Sequence, residues 1–206
     1  MLNIYLFFEE GKKFYKNYLK IGISGIIGGI GLGCAMITFI WSITNTTAAI
    51  TLLCLASMPF ITALLGFLFL KEKISFSVWV AIIFAAAGVG IMSFESTTLG
   101  SITGLLFGLT SALGFSVFSV TLRWRKETPK FTTVAFAGLF CCLVSFIIIV
   151  SNDLNFLSSS KNSSLFALHG TLVSLGMILY STASKNLPAA ELTLLSLLEV
   201  IGGIFW

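Results

Sequence analysis

Charge is what this sequence has least of. Only 20 of its 206 residues are Asp, Glu, Lys or Arg, or 10%, where a soluble domain carries about 25%. Residues 21–70 contain none of these and no histidine. So few charges do not cover a globule in water, which excludes an ordinary soluble enzyme and a disordered linker. Histidine occurs once, at His169, and proline three times. The four cysteines, Cys34, Cys54, Cys141 and Cys142, have no Cys-x-x-Cys spacing and no histidine cluster. No disulfide framework, metal site or cofactor is expected of them, and small apolar packing accounts for them better. A nucleophile elbow, a His-Glu-x-x-His pair, a nucleotide loop and a carboxylate cluster are all missing too, so soluble-type catalysis has no support.

What remains is apolar. Hydrophobic residues make up 57% of the chain, and mean hydropathy is +1.03. At about 20 residues per crossing, residues 21–70 hold two helices, divided at the polar cluster Thr44-Asn45-Thr46-Thr47. Further apolar runs cover 74–94, 96–122, 131–152 and 162–184, and a last one opens near Pro188 and continues to Trp206. A bilayer core offers backbone groups no water, so each run is expected to be a helix. The fold class is an all-α, polytopic membrane bundle of about seven helices, the last one incomplete. The stretch 2–8 reads as the end of an upstream helix rather than a signal peptide, because Glu9-Glu10 follows it where a small-residue cleavage site belongs.

The basic residues set the orientation. With the N-terminus in the cytoplasm, Lys12, Lys13, Lys16, Lys20, Lys71, Lys73, Arg123, Arg125, Lys126, Lys130 and Lys185 fall inside, and only Lys161 falls outside. That asymmetry follows the positive-inside rule, so the net charge of +4 needs no nucleic-acid partner.

Gly25, Gly29 and Gly33 form two Gly-x-x-x-Gly steps, and Gly100, Gly104, Gly108, Ala112 and Ser116 form a longer ladder. Small residues four apart let helices approach closely in lipid. Packing within the chain and a homodimer seam both fit this pattern. Gly29-Ile30-Gly31-Leu32-Gly33 is not read as a phosphate loop, since it lies inside a spanning helix.

Two residues stand out for chemistry. Pro59, near the middle of the second helix, frees the carbonyl of Leu55; breaks of this kind mark transporter binding sites, although a tolerated kink reads the same way in sequence. Glu199 lies about ten residues into the last helix. A charge there costs at least ~2.5–3.5 kcal/mol on insertion scales, so it should face protein or a wet cavity as proton carrier, substrate anchor or structural carboxyl. Trp41 and Trp79 sit near helix ends, as in an aromatic belt.

Sliding the sequence by 141 residues lays 41–65 over 182–206. Asn45 then meets Asn186, Ala48-Ala49 meets Ala189-Ala190, and Met58-Pro59 meets Glu199-Val200. The two helices run in opposite directions in this topology, which is the arrangement of an inverted repeat.

Residues 48–94 include LASMPFITALLGFLFLKEKISFSVWVAIIFAAAGVGIM, and the tail reads AAELTLLSLLEVIGGIFW. With Pro59, Glu72 and Gly88 in the first and Glu199 in the second, the chain resembles EamA-type carriers of the drug/metabolite transporter superfamily. Val200 stands where the family has proline. The resemblance implies ten helices in two inverted halves around a substrate cavity. Residues 1–94 would form the C-terminal part of the first repeat, three helices after a cytoplasmic stub, and 95–206 the second repeat, cut within its fourth helix. It also implies carriage of small organic metabolites by alternating access, in a bacterial inner membrane, without enzymatic activity. Membrane lipid, a small-molecule substrate and a second copy of the chain are the expected partners. The pathway is expected to involve Glu199, Pro59, Trp41, Asn45 and Tyr180. The competing readings are a non-transporting membrane protein and an intramembrane enzyme built on His169 or Glu199.

Overall fold

The computed structural model describes residues 2–3, 6, 12–71, 76, 79–80, 83–84, 102–125, 129–153, 160–184, 186–187 and 189–195. The described residues are helical apart from short links. The elements are α1 (Lys12–Leu19), α2 (Gly22–Asn45), α3 (Ala48–Leu55), α4 (Met58–Leu70), α5 (Ile102–Trp124), α6 (Lys130–Ser151), α7 (Ser160–Ala183) and α8 (Ala189–Leu195). Five helices among the described residues are long and apolar enough to cross a membrane: Gly22–Asn45, Ala48–Leu70 (α3 and α4 together), Ile102–Trp124, Phe131–Ser151 and Asn162–Ala183. These are the expected runs, and the protein is a multi-pass helix bundle. The runs at 74–94 and beyond Leu195 lie largely outside the described residues, together with Glu72, Gly88, Gly100 and Glu199.

The turn between α2 and α3 falls at the predicted polar cluster. Thr46 is extended, and Thr47 caps α3 by accepting the Ile50 N–H at 3.3 Å. A hydroxyl in that position satisfies a backbone donor that has no intrahelical partner. Asn45 folds back to donate to the Trp41 carbonyl at 2.8 Å.

The second span is interrupted at Ala56-Ser57. Pro59 has no N–H for the Leu55 carbonyl and its ring clashes there, so α3 stops at Leu55 and α4 restarts with Pro59 in its first turn. Ser57 closes the break by donating both its N–H (3.1 Å) and its hydroxyl (2.6 Å) to the Cys54 carbonyl.

α5 is the central helix, with 56% of its span buried. It runs antiparallel to α2, pairing Thr121 with Gly28, Gly114 with Gly31 and Gly104 with Ser42. It runs parallel to α3 and α4, where Cys54 lies against Leu105 and Ser116 donates to the Met58 carbonyl. α6 packs parallel to α2, with Phe136 against Gly29 and Phe140 against Gly33. These directions bring Lys20, Lys71, Arg123, Arg125 and Lys130 to one end of the bundle. Asn45, Thr46 and Asp153 lie at the other.

Leu2 and Leu6 are helical and buried in the core with Leu32, Phe118, Leu122 and Val134. Asn3 donates to the Ala135 carbonyl at 2.8 Å and accepts from the Tyr18 hydroxyl. Burial pushes that hydroxyl up to about 12.

Candidate functional site

A cavity of about 730 Å³ lies between α7 and the rest of the bundle, a volume suited to a small organic molecule. Its walls come from six helices. α2 contributes Met36 and Phe39, the α3–α4 break Leu55 and Met58, α5 Ser111 and Phe115, α7 the stretch around Met177 and Tyr180, and α8 Leu192 and Leu195.

The cavity exists because α7 barely packs. Only 6% of its span is buried, and every residue from Asn162 to His169 is exposed. Contact is concentrated toward its C-terminal end. There Tyr180 sits edge-on to Phe115 at 5.1 Å and stacks on Phe118 at 6.1 Å. Its hydroxyl lies 2.6 Å from Ser119 Oγ. One turn further, Arg123 Nη1 donates to the Leu187 carbonyl at 2.6 Å and ties the α7–α8 link to α5. Toward the basic end the cavity is thus closed by three aromatic rings, a hydroxyl pair and an arginine clamp. Toward the far end the sides of α7 stand clear.

Of the expected pathway residues, Tyr180 lines the cavity, and Pro59 is buried beside lining residue Met58. Trp41 packs edge-on against Phe107 at 5.1 Å, and Asn45 is exposed at the end of α2. Neither belongs to the cavity wall. Glu199 lies outside the described residues. His169 lines the cavity near the middle of α7.

Gly25, Gly29 and Gly33 are buried, and the last two face α6: a Cβ at either would fall 2.5 Å from a phenylalanine ring carbon. At Gly104 a Cβ would meet Thr46 Cβ at 2.7 Å, and at Gly108 it would meet Cys54 Cβ at 2.9 Å. These positions hold backbone against a neighbouring helix. Ser111 and Ser119 were not singled out from sequence. A serine inside a helix ordinarily returns its hydroxyl to its own backbone, so nothing local marked these two.

Comparison with known proteins points to a transporter family. Residues 1–94 match the EamA-like transporter family. The match covers 94 of the 206 residues, so the N-terminal part of the chain is similar to that family. Two Helicobacter pylori proteins, from strains J99 and 26695, are each described as an uncharacterized transporter. Each is 25% identical over 217 aligned positions, covering 100% of this chain and 70% of its own length. No solved structure matches. The helices and the cavity describe a multi-pass membrane helix bundle, similar over its first 94 residues to EamA-like transporters. Among the described residues no group of three or more His, Cys, Asp or Glu is placed to hold a metal ion.

Proposed function

We propose that this protein, like the EamA-like transporters that its first 94 residues resemble, is a secondary carrier that moves small organic metabolites across a bacterial inner membrane by alternating access. The observation that carries the reading is the cavity between α7 and the bundle, sealed at the basic end by Tyr180, Ser119 and Arg123. A carrier holds its substrate near mid-membrane and opens to one side at a time.

An inverted-repeat, ten-helix family architecture has specific support. α3 begins at Ala48 and α8 at Ala189, the 141-residue offset seen in the sequence. They also begin at opposite ends of the bundle. The start of α3 lies beside Gly104, while Leu187, just before α8, is held by Arg123. The family match ends at residue 94, which coincides with the boundary between a first repeat (1–94) and a second (95–206). With the basic end in the cytoplasm, the cavity faces away from the cytoplasm in this conformation.

The test is a substrate-accumulation screen. Cells expressing the native protein and cells lacking it are compared for retention of labelled metabolites, and hits are repeated in inside-out vesicles. Gradient-dependent movement of at least one solute supports the carrier. Vesicles that move nothing, despite correctly inserted protein, would favour a non-transporting membrane component.

A further inference from the structure

α1 and the turn after it carry a basic surface at the end of the bundle, away from the cavity. Tyr18 fixes which way this helix faces. Its ring packs against the core cluster and its hydroxyl donates to Asn3. Each residue of a helix is turned by about 100° from the last, so Lys16 and Lys20, two positions either side of Tyr18, lie on the opposite face. Both are exposed, and the Lys20 N–H donates to the Lys16 carbonyl at 3.1 Å, which carries the helical turn through to Lys20. In the sequence Lys12 continues the same four-residue step. Positive-inside topology calls for lysines near this end, but not for lysines on one face.

Gly22 sets that face apart from the span. Its φ of +62° is left-handed, a conformation open to glycine and strained for other residues, and a Cβ there would meet nothing within 4 Å. The backbone turn, not packing, therefore requires the glycine, and α1 is not a continuation of α2. Leu19, beside Lys20, is 86% exposed although the span opens only three residues later. A large apolar side chain next to lysines at the mouth of a span suits the boundary between headgroups and acyl chains, not bulk water.

We propose that α1 is an interfacial helix whose Lys16, Lys20 and Leu19 bind the headgroup of an anionic phospholipid in the leaflet at the basic end. Charge complementarity selects this occupant. A further spanning helix would bury ammonium groups in an apolar contact. A second copy docked there would set the same lysine face against itself. Glu9 and Glu10 precede α1 in the sequence and leave residues 1–20 with a net charge of +2, still attractive to an anionic leaflet. The headgroup site depends on the chain spanning a membrane and not on what the cavity carries.

The test uses the native protein in dodecyl maltoside micelles, read by thermal melting, because a lipid that binds the folded state raises the midpoint. Dioctanoylphosphatidylglycerol should reach its half-maximal shift at about a tenth or less of the concentration that zwitterionic dioctanoylphosphatidylcholine needs. Lys16→Gln and Lys20→Gln should each raise that concentration about fivefold, with lipid-free melting unchanged. Lys16→Arg and Lys20→Arg keep the charge and should stay within about twofold. Leu19→Ser, which alters no charge, should weaken the anionic lipid about threefold. Lys71→Gln removes one charge from the same end, on a helix packed against α5 and α8, and should leave the response within about twofold. No shift with either lipid, equal responses to both, a loss in Lys71→Gln as large as in the α1 variants, or unchanged affinity in Leu19→Ser would overturn the proposal. Inorganic phosphate at matched ionic strength should give no shift; a shift equal to the lipid's would make this a site for a free anion and overturn the proposal as well.

Discussion

Gly31 and Gly114 face each other across the α2–α5 crossing so closely that neither accommodates a side chain. A Cβ on Gly31 would fall 2.9 Å from the Gly114 carbonyl oxygen, and one on Gly114 would fall 2.6 Å from the Gly31 carbonyl oxygen. Both clashes are with backbone, which has no rotamer through which to escape. The close approach lets the cavity-lining Ser111 donate to the Ala35 carbonyl at 2.8 Å.

Gly31→Ala and Gly114→Ala should therefore be strongly destabilising, by roughly 1–3 kcal/mol each, the usual range for overpacking a tight contact. Gly104→Leu and Gly108→Leu should behave similarly, because a Cβ already meets Thr46 and Cys54 there. The controls are Gly170→Ala and Gly176→Ala, which meet nothing within 4 Å and gain helix propensity. Thermal melting and folded yield in detergent decide it. Equal tolerance at all these sites would remove the close-packing account.

The spans were legible in the sequence because a bilayer imposes length and apolarity directly, and the α2–α3 turn was legible because four consecutive polar residues interrupt the run. The four-residue glycine ladder pointed to Gly29 and Gly33, which face α6, and to Gly104 and Gly108, which face residues 45–54. It did not point to Gly31–Gly114. Those glycines contact each other as a single point rather than as a repeat, and only the pairing of two distant helices reveals it. The cavity was legible in part. The break before Pro59 follows from residue type and position, whereas Tyr180 rests on the family resemblance. Ser111 and Ser119 gain their meaning from carbonyls and hydroxyls that the chain brings together only in three dimensions. Trp41 and Asn45 lie on α2 as expected, but on faces that miss the cavity wall.

The sorting of charge to one end makes a topology prediction. In a background with the four native cysteines replaced, a single cysteine at Arg125 should be labelled by an impermeant maleimide only from the cytoplasmic side. One at Asn152, at the opposite end of α6, should be labelled only from outside. Labelling of both from the same side would refute the threading of α5 and α6.

Arg123 should behave as a clamp on the sealed end. Arg123→Ala releases the Leu187 carbonyl and loosens the link between α7 and α8. A cysteine at Ala183, which lines the cavity base, should then react several-fold faster with an impermeant thiol reagent applied from the basic end. Arg123→Lys should show an intermediate rate, since a single ammonium reproduces the charge but not the guanidinium geometry. Rates identical in parent and Arg123→Ala would place the seal elsewhere, on the Tyr180–Ser119 contact alone.

Glu199 lies outside the described residues; in the sequence it stands about ten residues into the last apolar run. The 141-residue offset sets it opposite Met58, which lines the cavity. An ionisable group at that depth is costly unless it faces protein or water, and in carriers such groups exchange protons as the cavity opens to alternate sides. Glu199→Gln preserves shape and hydrogen bonding while removing ionisation. The expected outcome is an unchanged melting temperature with transport reduced several-fold and its pH dependence flattened, measured in vesicles across pH 5.5 to 8.5. A variant that melts earlier but transports with the parent's pH profile would instead make Glu199 a structural carboxyl, holding helices together without taking part in coupling.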